Sequence, residues 1–224
     1  MTGNNLIDAL GLRLDDPSAT MFTDTARMDA INIAQKTVVN MIDNAYLQEL
    51  ETVVTGVSVY DTDPDPDELL GYVTFTDAFS TALPIRNGIV AIKDVTAQKF
   101  CTIIEPKDAK RLENSYLSGS ATNPIAYTFD QKVYLESGTA PTGGIDIWYL
   151  VAPTDFTSST LTAECVLNPS LHETVLDFAE SQLWKMDGKA DRGQSAYQSA
   201  LGTIKVLNDR YAIEKPQGIG GKTR

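Results

Sequence analysis

His172 is the single histidine of this chain, and Cys101 and Cys165 are its two cysteines. Those three side chains are the natural candidates for nucleophilic or metal chemistry. A zinc site needs Cys and His ligands in closely spaced pairs. Here the cysteines stand 64 residues apart and neither has a CxxC partner. A thiol–imidazole couple would need long-range folding to bring either sulfur to His172. His172 falls in the first turn of an expected helix, beside Glu173, and reads as a solvated surface residue. The cysteines read as buried free thiols, as in a protein of a reducing compartment. No catalytic residue, cofactor or metal ligand is assigned, and neither zinc nor nucleotide is expected to bind stoichiometrically.

Asp61, Asp63, Asp65, Asp67 and Glu68 place five carboxylates in eight positions. A calcium loop also starts with acids at its first, third and fifth places, but it wants glycine at the sixth and glutamate at the twelfth. Those places hold Pro66 and Tyr72. With Pro64 and Pro66 keeping it extended, the run reads as a solvated, self-repelling loop. Gly220-Gly221-Lys222-Thr223 ends like a phosphate-binding loop, yet the position of its first glycine is Pro216 and no strand precedes it. Trp148, Tyr149, Trp184 and Tyr197 could form an aromatic platform, but they sit on expected strand and helix stripes where packing accounts for them.

The elements around these residues follow from periodicity. Leu6, Ile7, Leu10 and Leu14 make a short helix over 5–14, broken by Asp15-Asp16-Pro17. Residues 24–50 read as one long helix with Thr23 as its N-cap and Ile31, Ala34, Val38, Met41 and Ala45 on one face. From 51 to 163 the period changes to two. Strands are expected near 53–59, 72–75, 89–95, 100–104, 125–129, 133–135 and 145–151, with a short helix opening at Pro106. Asn168-Pro169 then opens a helix that Gly188 ends, and a second helix resumes near Asp191 and stops before Pro216. The expected fold is α+β: a helical bundle of N- and C-terminal helices carrying an inserted antiparallel β-sandwich or barrel. Its parts are helical residues 1–50, the β-rich domain 51–163, helical residues 164–214 and a tail of 215–224.

Thirty acidic against eighteen basic side chains give the 224 residues a net charge of −12. Such a surface repels a phosphate backbone, so sequence-specific nucleic-acid binding is not expected. No apolar stretch approaches the roughly 20 residues of a spanning helix, and the first residues carry no secretory pattern. A soluble intracellular protein without a membrane partner is expected. The tail is Lys215, Pro216, Gln217, Gly218, Ile219, Gly220, Gly221, Lys222, Thr223 and Arg224. It is too polar and glycine-rich to fold unaided, and it carries three basic side chains on an acidic chain.

Leu12-Arg13-Leu14-Asp15-Asp16-Pro17 running into Phe22-Thr23-Asp24, then Ile31-Asn32-Ile33-Ala34-Gln35, is a pattern the chain shares with a known family. Leu83-Pro84, Ile103-Ile104-Glu105-Pro106-Lys107-Asp108, Ile145-Asp146-Ile147-Trp148-Tyr149 before Ala152-Pro153, and Leu167-Asn168-Pro169-Ser170-Leu171-His172-Glu173 continue it in order. In these elements the sequence resembles the head-to-tail adaptors of tailed bacteriophages, the gatekeeper or tail tubular protein A-like connectors.

That resemblance implies a structural virion protein of the neck, without enzymatic activity or cofactor. It implies a homo-oligomeric ring of twelve copies under the portal, joining capsid to tail, with a portal protein and a tail or nozzle protein as partners. The ring lumen would contact passing DNA, and assembly would take place in the host cytoplasm. The ten tail residues are the candidate portal-docking segment. Net charge predicts a monomer or weak oligomer at low salt and a ring once the portal is present. Other readings are another neck or tail-completion ring protein, a β-rich module binding carbohydrate or protein, and a cysteine-dependent enzyme built on His172.

Overall fold

Thr2 and Thr23 each start a helix by the same chemistry, a hydroxyl accepting a backbone N–H of the first turn. Thr2 caps α1 (Gly3–Arg13) through Asn5, and Thr23 caps α2 (Asp24–Met41) through Ala26. The computed structural model describes residues 1–61, 70–79, 82–108, 118–137 and 144–214. Most of the acidic run, the expected helix beyond 108 and the tail 215–224 lie outside the described residues. The chain is α+β, with helices towards both ends and sheets between them. It divides into two units, residues 1–50 with 152–224, and residues 51–151. The segment 152–163, assigned to the β-rich part by its sequence, therefore belongs with the helices.

In the helical unit α1 and α2 pack with α4 (His172–Met186) and α5 (Ala190–Glu214). Leu6, Leu10, Ile31, Val38, Val175, Leu183 and Ala200 supply the core. The sequence predicts one helix through residue 50, but α2 stops at Met41. Ile42 turns extended and Asp43 caps a new 3-10 turn, Asn44–Tyr46, through the Ala45 N–H. The Asn208 side chain accepts the Asp43 N–H at 2.8 Å and donates to the Met41 carbonyl at 3.0 Å, so a partner on α5 stabilises the break. The segment that precedes α4 runs back along the N-terminus: Gly3 donates to the Ala163 carbonyl, Asn4 to Leu161 and Cys165 to Met1.

The second unit holds two sheets. The first orders β1 (Glu51–Val57), β9 (Ile145–Leu150), β4 (Ile89–Asp94) and β5 (Lys99–Phe100). The second orders β2 (Tyr60–Asp61), β3 (Leu70–Thr74), β8 (Lys132–Glu136), β7 (Ile125–Phe129) and β6 (Thr102–Ile103). Val57, Ile92, Ile145 and Ile147 from one sheet meet Val73, Ala126, Val133 and Leu135 from the other in one core. A one-turn α3 (Phe75–Ala78) leads to Phe79, which also packs there.

Two features depart from the sequence expectation. The strand expected over 100–104 is split at Cys101, whose N–H donates to Ile92 while the next N–H, of Thr102, donates to Pro124. Consecutive amides thus serve opposite sheets. The pairing is also not wholly antiparallel, because β6 runs parallel to β7. A bulge between Val54 and Val57 is formed at Gly56, whose φ of +65 suits glycine.

Candidate functional site

The loop joining α1 to α2 is built around one carboxylate. Asp16 Oδ1 accepts from the Thr20 N–H and hydroxyl, each at 2.8 Å. Its Oδ2 accepts from the N–H groups of Met21 and Phe22 at 3.0 and 2.9 Å. Arg27, 2% exposed, donates to the same Oδ2 at 2.9 Å and to the Asp16 backbone carbonyl. The Phe22 N–H chiefly, with Thr20 and Met21 adding to it against the opposing effect of burial, holds the Asp16 carboxyl far below its usual range. Phe22 is thereby placed edge-on to Trp184, ring centroids 6.2 Å apart. Arg13 joins α1 to α4 by ion pairs with Glu173, Asp177 and Glu180. The Leu12–Asp24 stretch is thus a structural latch.

The second shared motif works the same way. Asn32 Nδ2 donates to the Phe156 carbonyl at 2.9 Å, and its Oδ1 accepts the Phe156 N–H at 2.8 Å. Three residues on, Gln35 Oε1 accepts from Cys165 Sγ at 3.4 Å. The two amides sit one turn apart on α2 and bind the returning segment.

His172 is 4% exposed, which overturns the solvated reading. Its Nε2 lies 3.0 Å from the Leu167 carbonyl and its Nδ1 3.5 Å from the Met1 ammonium. A neutral ring protonated at Nε2 satisfies both contacts. Burial first, and then the neighbouring positive ammonium, lower its pKa. A histidine whose folded pKa is depressed contributes stability that is complete above its ordinary value of 6.5 and is lost as pH falls below it. Thermal melts of the wild type should therefore drop between about pH 7 and pH 5. A His172→Gln variant should show a flatter slope in that window, and an equal slope would remove His172 as the cause.

Both cysteines are free, as expected. Burial chiefly pushes the Cys101 thiol up to about 12, against a backbone hydrogen bond at Asp94, with the Asp94 charge adding to the rise, which leaves no thiolate near neutrality. Cys165 is buried, and its pKa is raised for the same first reason. Cys165 and His172 fall in the helical unit and Cys101 in the β-unit. Among the described residues no group of three or more His, Cys, Asp or Glu is placed to hold a metal ion. No helix of the described residues is long and apolar enough to cross a membrane. A groove of about 370 Å³ between α2, α4 and α5 is lined by Ala34, Thr37, Phe178, Ser181, Lys185 and Tyr197, among others, and carries no acid, imidazole or thiol.

Sequence reasoning misses the surface. On the second sheet Tyr72, Tyr134 and Tyr127 are register partners across three strands. Tyr127 and Tyr134 stack at 4.9 Å, and the Lys132 ammonium sits 4.6 Å from the Tyr72 ring. On the first sheet Val53 and Phe100 flank Trp148, with Phe100 63% exposed and 5.4 Å from the indole. Alternation along each strand marks these residues as one-faced, but only the register aligns them. Of the aromatic platform suggested by sequence, Tyr149 and Trp184 are buried in the cores. The ten tail residues fall outside the described residues.

Among the described residues the polar clusters at Asp16 and Asn32 hold the helical unit together. No curated protein matches the chain. A family model described as the SU10 adaptor protein matches residues 1–218, through both units. The chain belongs to that family, and is a structural adaptor protein of the phage head-to-tail type.

Proposed function

We propose that the protein forms a ring of twelve copies under the portal and joins the capsid to a tail or nozzle protein during phage assembly. It acts at the neck of the virion, is put in place in the host cytoplasm, and works without a cofactor or catalytic step. The observation that carries this reading is the family match over residues 1–218, which includes the helical unit and the whole β-unit. The latch at Asp16 and the pin at Asn32 support it, because both serve rigidity and neither offers chemistry. Mixing the protein with portal rings of the same virus and imaging by negative stain tests it. Added ring-shaped density below the portal is expected, and portal rings that stay bare would sink the proposal.

Portal docking is assigned to residues 215–224, with Ile219 as the apolar anchor and Lys222 and Arg224 pairing with acidic groups of the portal. Deleting everything after Glu214 should leave circular dichroism unchanged and weaken co-sedimentation with portal rings at least about tenfold. Undiminished co-sedimentation would move the contact to another surface.

A further inference from the structure

Each sheet of the β-unit ends in two edge strands, and β2, β5 and β6 are edges only two residues long. Short edges give a foreign strand little to pair with. The fourth edge, β1, is different. Its seven residues, Glu51-Thr52-Val53-Val54-Thr55-Gly56-Val57, include three valines and two threonines, and neither proline nor lysine. Such an edge is an open template for another strand unless a partner covers it. The bulge at Gly56 interrupts only its far end.

Register tells which backbone groups are open. The Leu150 N–H donates to Gly88, so Leu150, Trp148 and Asp146 turn their backbone groups towards β4, while Tyr149 and Ile147 turn theirs towards β1. Tyr149 stands opposite Thr52 and Ile147 opposite Val54, which leaves the N–H and carbonyl of Glu51 and Val53 on the free side. The other edge of this sheet alternates in the same way. The Cys101 N–H donates to Ile92, so Phe100, opposite Lys93, points its N–H and carbonyl away from β4. Val53 and Phe100 also expose their side chains on either side of Trp148, at 44% and 63%.

We propose that Val53 on β1 of one copy pairs with Phe100 on β5 of the next, so that the first sheet continues from subunit to subunit. The inference rests on the ring reading and names its lateral contact. Strand direction is what selects a second copy. β9 runs antiparallel to β1, β4 to β9 and β5 to β4, so the two edges of the sheet run in opposite directions. A copy set beside the first by rotation about a ring axis therefore brings its β1 antiparallel to the neighbour's β5, and the alternation passes the join unbroken. The two edges are unlike, and a contact of unlike surfaces is the kind that generates rings. At the join Val53 and Phe100 exchange two N–H···O bonds, and their side chains meet on one face. A single exchanged pair is short enough to accommodate the twist that four strands accumulate. It also buries far less than the roughly 1,200 Å² at which specific, stable interfaces begin. Free chains therefore stay apart, and the contact forms where the portal already holds neighbours side by side.

The test uses the full chain with portal rings and reads ring yield by mass photometry. Val53→Pro removes the outward N–H and spares the ladder to β9, since an edge strand tolerates proline where its N–H faces solvent. Val53→Lys keeps the strand and guards the edge with a charge. Each should lower ring yield at least about tenfold, with circular dichroism matching wild type. A second measurement does not depend on weakening anything. In Cys101→Ala chains, Val53→Cys together with Phe100→Cys should give a ladder of linked species when portal-bound rings meet a short bifunctional maleimide, because residues of an exchanged pair lie about 5.5 Å apart. Folded Val53→Pro and Val53→Lys proteins that both form rings at wild-type yield would overturn the contact and leave the ring standing. Portal-bound rings of the Val53→Cys, Phe100→Cys chain that give no ladder would do the same. Linked dimers from Val53→Cys alone would set β1 against β1 and overturn it as well. Wild type that leaves the portal bare would overturn the proposed function, and this contact with it.

Discussion

Arg27→Met is expected to lower the melting temperature of the helical unit by on the order of 10 °C. The substitution keeps the length of the side chain and removes its charge. Asp16 would then face Phe22 and Met21 without the guanidinium that also holds its own carbonyl. Breaking a buried pair from one side leaves an uncompensated ion, which is worse than having no pair. Gly11→Ala should act through the same residue, because a Cβ there would stand 2.6 Å from an Arg27 nitrogen. Far-ultraviolet circular dichroism melts give the readout. An Arg27→Met protein that melts with the wild type would show that the four protein hydrogen bonds on the Asp16 carboxylate suffice without Arg27.

Asn32→Leu should cost about 3 kcal/mol, since it strips partners from a buried N–H and a buried carbonyl together. Both belong to Phe156, which is 6% exposed and so cannot recruit water without moving. Gln35→Leu should cost less, because a thiol is a weak donor and Cys165 tolerates apolar surroundings. Urea titrations of the three proteins separate these outcomes. Equal midpoints for Asn32→Leu and wild type would mean the returning segment is held elsewhere, by its contacts with the N-terminus.

Local chemistry is legible in the amino-acid sequence. Thr23 as a cap and Gly188 as a helix end, with its φ of +76, depend on residues within a turn of one another. The break after Met41 is not legible, because it is stabilised by Asn208, 165 residues later in the chain than Asp43. The burial of His172 has the same origin: its partners come from Leu167 and from the opposite end of the chain. The family pattern draws attention to Asp16, Asn32 and Gln35 without saying what they do. The roles of the two amides are tertiary, with partners such as Phe156 and Cys165 that periodicity does not reach. The tyrosine row needs a register that no single strand encodes.

Glu51 and Leu150 are register partners at the ends of β1 and β9. The backbone therefore enters and leaves residues 51–151 about 5 Å apart, the spacing of neighbouring strands. To the helices, that entire excursion closes like a hairpin. A host built this way imposes one geometric demand on whatever it carries, that both ends arrive side by side. Lobes of other sizes and binding habits could be exchanged at this junction while the helical framework kept its packing, and a graft across it needs only a two-strand splice.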